Sequence, residues 1–139
     1  MEWHDRVVLS KLRLERAKEF LTDAEDTAKM GKFLNSANRS YYAAYTSIRA
    51  LIVFEHTERT SHMGNISDFR LHYIKTGIFK REFSDYIREM FTTRNESDYE
   101  PDYVPTDEVI FTQLGYAKEM LEEITAYLNS RYDTVDAEM

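Results

Sequence analysis

Cysteine is absent from the 139 residues, glycine occurs four times and proline twice. Without thiols there can be no disulfide framework and no thiolate metal site, and a reducing compartment is the natural setting. So few glycines and prolines leave few turns, which favours long helices over sheets. Nothing approaches the roughly 18 consecutive apolar residues of a membrane span; the densest run is ALIVF at 50–54. The stretch MEWHDRVVLSKLRL lacks the basic-then-apolar pattern of a secretion signal. A cytoplasmic protein with no membrane partner is expected.

What is present suits one domain over 1–139 with a single core: 42% of residues are hydrophobic and 31% charged. Charge is unevenly spread. Residues 1–30 carry a net −1, residues 31–94 a net +4 and residues 95–139 a net −10, within a total of −7. Phosphate binding depends on lysine and arginine. A surface that coats DNA is therefore not expected, whereas a local basic site in the middle third is. The acidic remainder reads as a solvated helix face followed by a mobile tail at 133–139.

Periodicity places five helices and no strand. Leu9, Leu12, Ala17, Phe20, Leu21, Ala24 and Ala28 recur at helical steps over about 5–30, with Gly31 as a stop. The second helix, about 33–56, is apolar on more than one face through Tyr41, Tyr42, Tyr45, Ile48 and Leu51, as a central or interfacial helix is. A third begins after Ser61, a good N-cap, and ends at Gly77. A fourth covers about 80–94, and both prolines fall in the following segment ESDYEPDYVP. The fifth starts at Thr106 and carries the seam Ile110, Leu114, Ala117, Leu121, Ile124 and Leu128. The sum is an all-α, up-down antiparallel bundle with short connections.

Three stretches could carry chemistry. In NRSYYAAY, Arg39 and Tyr42 share a helix face, and Arg49 follows on nearly the same face. Tyrosines at such positions fill cores, but the two arginines could meet phosphate or carboxylate in a cleft. In TSHMGN, His62 sits in a first helical turn, where anions are attracted. In RNESDY, Arg94 closes the fourth helix and Asp98, four residues on, can pair with it. No metal-ligand spacing, phosphate-cradling glycine loop or nucleophilic triad is visible, so no metal and no cofactor are expected.

ANRSYYAAYTSIRALI, TSHMGNISDF and IREMFTTRNESDY, followed by a heptad-like helix, resemble the HEPN superfamily over roughly 13–132. They are most similar to its small stand-alone prokaryotic members with NRxYYA and RxxxDY motifs. That resemblance implies a helical bundle, often a homodimer, and in the catalytic branch a metal-independent ribonuclease site. There an arginine stabilises phosphate charge, and a histidine four to six residues later shuttles protons, as such a cleavage requires. Arg94 and Asn95 match the start of that motif. Tyr99, Glu100 and Pro101 stand where the histidine would fall, and Asp98 and Tyr99 fit RxxxDY instead. Other members pair with a separately encoded small nucleotidyltransferase in toxin–antitoxin or defence-type systems.

The expected function is therefore a module that binds a nucleotide, RNA or such a partner, rather than an enzyme. Arg39, Tyr42, Arg49, Asn95, Asp98 and Tyr99 would line or brace its site beside His62 and Arg94. Two alternatives stand: a ribonuclease toxin using Arg94 and His62, and a purely structural oligomerisation bundle.

Overall fold

The computed structural model of the chain describes residues 1–100 and 102–138; the side chain of Asp98 and those beyond Tyr132 lie outside the described residues. The expectation of a carboxylate brace at Asp98 falls outside them too; of the tail expected at 133–139, the backbone up to Glu138 continues the last helix. The elements are α1 (Trp3–Lys29), α2 (Phe33–Glu55), α3 (His62–Phe69) running into a π-helical turn (Arg70–Ile74), α4 (Glu82–Tyr99) and α5 (Asp107–Glu138). No strand occurs among the described residues, and the expected all-α bundle is what forms.

α2 is the central rod. Fifteen of its 23 residues are buried, and it packs against α1, α3, α4 and α5. This is what its many-sided apolar pattern requires. Tyr41, Ile48, Leu51 and Phe54 from α2 meet Phe69, Tyr73, Phe83, Ile87 and Met90 in the core, all of them essentially inaccessible. Burying side chains of this size contributes roughly 1.5–3 kcal/mol each before entropy is counted. The α5 seam is buried at Ile110, Ala117, Leu121, Ile124 and Leu128, and Thr106 Oγ1 caps it by accepting from the Val109 amide at 3.3 Å.

α1 ends as its sequence suggests. Gly31 adopts φ +74°, in the left-handed region, and its amide donates to the Ala28 carbonyl at 3.1 Å while Lys32 N reaches Thr27 at 2.9 Å. The apolar stripe of α1 is not buried throughout, for Leu12 is 59% exposed. The helix expected from Ser61 to Gly77 is not uniform either. At Arg70–Ile74 it widens by one residue, and Lys75 N donates five residues back to Arg70 O at 2.8 Å.

The fourth helix corrects an expectation that matters for function. It does not stop at Arg94 but continues to Tyr99. The first proline, at 101, restricts only the residue before it, and Glu100 is indeed extended (φ −115°, ψ 98°). Nothing from Arg94 to Tyr99 opposes a helix. RNESDY is thus the last turn and a half of α4 rather than a polar end leading into a loop.

Candidate functional site

The tyrosine run of α2 builds the site. Tyr41 and Tyr45, one turn apart, stack nearly parallel with ring centroids 5.7 Å apart and a 4° interplanar angle. Both are buried. Tyr42 meets Tyr41 edge-on at 5.2 Å. Burial, more than the neighbouring phenols, pushes the Tyr41 hydroxyl well above its ordinary value, so it stays protonated.

α3 adds the histidine. The Ser61 Oγ accepts from the Gly64 amide at 3.0 Å, which starts the helix and fixes its first residue, His62. The imidazole stacks on Tyr45 at 4.1 Å and meets Tyr42 edge-on at 5.8 Å. Its Nδ1 lies 2.9 Å from the Tyr41 hydroxyl. Asn65, one turn on, donates to the Tyr45 hydroxyl at 3.0 Å and accepts from the Arg59 amide at 2.8 Å, tying α3 to α2. With Tyr41 as donor, the neutral ring carries its proton on Nε2, where it can donate to an anion.

Gly64 is small for a steric reason. A Cβ there would lie 2.8 Å from Ser61 Oγ and 3.1 Å from Arg59 Cβ. Gly64→Ala is expected to disrupt the cap and cost about 1–2 kcal/mol in a urea unfolding titration. A neutral substitution would show that the turn holding His62 can shift freely.

α4 adds the cation. The Arg94 guanidinium carbon lies 5.4 Å from the Tyr42 ring centroid and 5.8 Å from that of Tyr41, and Phe91, one turn earlier, packs edge-on against Tyr41 at 5.7 Å. Arg94 and His62 therefore share the rings of Tyr41 and Tyr42. The imidazole is held below its ordinary value of 6.5, first by burial and then by the positive charges of Arg94 and Arg49. With the folded value below the unfolded one, the native state binds fewer protons. Stability from this group is full above about 6.5 and is lost as pH falls below it. The His62 ring protons are expected to titrate in NMR with a midpoint under 6.5, and Arg94→Gln should move it up. An unmoved midpoint would place the guanidinium away from the ring.

The other expected residues are distributed unequally. Arg49 joins His62, Tyr42 and Tyr45 around one cavity of about 330 Å³. Arg39 does not; it lies over the Phe20 ring at 5.6 Å and lines a separate cavity with Asn35, Asn38 and Ser97. Asn95 is half-buried next to Arg94. Tyr99 is 79% exposed, so it is not a brace within the cluster. His56 belongs elsewhere, stacked on His72 at 3.9 Å. Among the described residues no group of acidic, histidine or cysteine side chains could hold a metal, and no helix is long and apolar enough to cross a membrane.

The sequence profile of the HEPN domain matches residues 10–127. The chain belongs to the HEPN family. Curated relatives include a UPF0332 protein of Thermotoga maritima, 31% identical over 60% of this chain and 64% of that protein. Another, from Pyrococcus horikoshii, is 29% identical over 50% of this chain and 49% of its own length. The matched region thus spans about half to two thirds of these two relatives. A protein of Methanocaldococcus jannaschii named "Putative toxin MJ0142" is 27% identical over 72% of this chain and 67% of that protein.

Within this HEPN chain the motif reading missed Arg13, Arg16 and Glu58. Arg13 and Arg16 line the same cavity as His62, yet on paper they are ordinary charges on a long helix. A signal existed: Leu9, Leu12, Arg13, Arg16 and Phe20 follow one another at helical steps, so they form one stripe. The exposure of Leu12 marks that stripe as an open groove wall. Glu58 sits in the polar connection after α2, where spacing carries no information about which helix it faces.

Proposed function

We propose that this HEPN protein is a binding module for a nucleotide or RNA, acting with a partner protein on the toxin side of a toxin–antitoxin or defence-type system. The observation that carries the reading is the convergence of Arg94 and His62 on the rings of Tyr41 and Tyr42. A guanidinium spread over aromatic faces, beside a neutral imidazole, offers charge for a phosphate and flat surfaces for a base. The toxin names of archaeal relatives favour the same setting. Membership of the family favours a homodimer in the cytoplasm and a small nucleotidyltransferase as partner. Light scattering tests the first, and co-purification from cells expressing both proteins tests the second.

A second reading is favoured by one feature of the same site. His62 is neutral near pH 7 and its Nδ1 is pinned by Tyr41, as a general base must be. Arg94 beside it could stabilise a pentavalent phosphate while a 2′-hydroxyl attacks. Incubating RNA with the native protein, Arg94→Ala and His62→Ala in EDTA separates the two readings. The binding reading expects RNA retention without cleavage. Cleavage by the native protein, lost in both variants, would make the chain a metal-independent ribonuclease. A protein that neither binds nor cleaves at low salt would be a structural bundle.

A further inference from the structure

The cavity between α1 and α2 that His62 borders contains more positive charge than the site just described uses. Arg13 and Arg16 from α1 and Arg49 from α2 line it. A single carboxylate organises two of them. Glu58 accepts from Arg13 Nη2 at 2.7 Å and from Arg49 Nε at 2.5 Å. Glu58 is not part of this cavity's lining; it lines a separate one with Arg6 and His56. The carboxylate therefore holds both guanidiniums from outside the cavity's lining, through Nη2 of Arg13 and Nε of Arg49. Arg13 Nε is buried with no hydrogen-bond partner among the described residues. Two guanidiniums against one carboxylate leave an uncompensated positive charge.

The α1 stripe that carries Arg13 and Arg16 is apolar between and beside them. Leu9, Leu12 and Phe20 line the cavity together with Tyr42 and Tyr45 of α2, and Leu12 is exposed. At about 330 Å³ the cavity is at the small end of the range for small-molecule sites. A ligand that fits joins a compact anion, suited to forked guanidinium donors, to a flat ring.

We infer that this groove binds a nucleoside phosphate, with the phosphate monoester on Arg13 and Arg49 and the base against the Leu9–Leu12–Phe20 wall. The ligand is a free nucleotide or the phosphorylated end of an RNA strand. Glu58 is a positioning residue, and Arg16 at the rim, ion-paired with Glu19 at 3.0 Å, adds charge that draws the phosphate in. The inference rests on the nucleotide-binding reading, since His62 and Tyr42 belong to both sites, and it adds the place and the chemical form of the ligand.

Calorimetric titration of the full chain with AMP, adenosine and inorganic phosphate tests it, together with oligoribonucleotides bearing a 5′-phosphate or a 5′-hydroxyl. AMP is expected to bind at least tenfold more tightly than adenosine or phosphate alone. Arg49→Gln should weaken AMP at least tenfold. Arg16→Ala, at an exposed position that leaves the fold intact, should weaken it about threefold. Glu58→Gln should weaken AMP severalfold and leave adenosine unchanged, which a merely structural role would not do. Arg94→Gln should weaken AMP less than Arg49→Gln does. A preference for the 5′-phosphorylated strand identifies an RNA end as the source, and equal binding of the two strands identifies the free nucleotide. AMP binding that is lost in Arg94→Gln but kept in Arg49→Gln and Arg16→Ala overturns the groove assignment while leaving the proposed function intact. RNA binding that needs Arg49 but not Arg94 has the opposite meaning. No binding of AMP or of either strand overturns both.

Discussion

Glu55→Ala is expected to lower the free energy of unfolding by about 3 kcal/mol, the largest single-residue effect outside the hydrophobic core. One carboxylate oxygen of Glu55 accepts from the Tyr73 hydroxyl at 2.8 Å and from the Tyr127 hydroxyl at 2.7 Å. Tyr73 is almost wholly buried. Burial, reinforced by Glu55, raises both phenols, that of Tyr127 to about 12 and that of Tyr73 higher still. Both therefore remain donors across any ordinary pH. Removing their shared acceptor leaves the Tyr127 hydroxyl proton without its acceptor and Tyr73 with only the Leu51 carbonyl at 3.3 Å. A lesser term runs the other way. Glu55 is the last residue of α2, where a negative charge opposes the helix dipole by roughly 0.3–1 kcal/mol. Glu55→Gln keeps an acceptor and should cost only about 1 kcal/mol. The midpoint of urea unfolding at constant slope reads both changes. A loss below about 1 kcal/mol for the alanine variant would mean that the carboxylate does not tie α2 to the π turn and α5.

The second large effect is on ligand binding. Arg94→Ala is expected to weaken RNA at least tenfold, about 1.4 kcal/mol, with a loss of only about 1 kcal/mol in stability from the ring contacts. If Arg94 meets a phosphate, the salt dependence of binding should fall by about one unit of slope on a logarithmic plot. Arg94→Lys keeps the charge but not the planar group that lies over Tyr41 and Tyr42. It should retain the slope and recover only part of the affinity. Filter binding at several salt concentrations separates these results. An unchanged slope in Arg94→Ala would remove Arg94 from the phosphate contact.

The bundle was legible because helical period, two prolines and four glycines leave little freedom. The many-sided apolar pattern of α2 identified the central helix from residues alone. Boundaries were less legible where no residue forces a stop. Arg94 looked terminal because polar residues follow it, but polar residues on an exposed face do not end a helix; an extended residue before Pro101 does. Within the site, Tyr41, Tyr42 and Tyr45 could be grouped by spacing on one helix, and NRSYYAAY pointed to them. The approach of His62 and Arg94 could only be asked about, since it depends on how α3 and α4 cross α2. Arg39 and Arg49 share a face in principle, yet Phe20 from α1 divides them into two cavities. Partition of that kind is decided by a neighbouring helix, which no periodicity within α2 can reveal.

The widened turn at Arg70–Ile74 separates two tasks carried by one continuous rod. Before it, His62 and Asn65 serve the tyrosine cluster; within it, Tyr73 serves the aromatic core and Glu55. The extra residue per turn breaks the phase between the halves. Each half can therefore accept substitutions fitted to its own neighbours without rotating the other out of place. A lineage could alter what its His62 end recognises while the Tyr73 end keeps the same foundation.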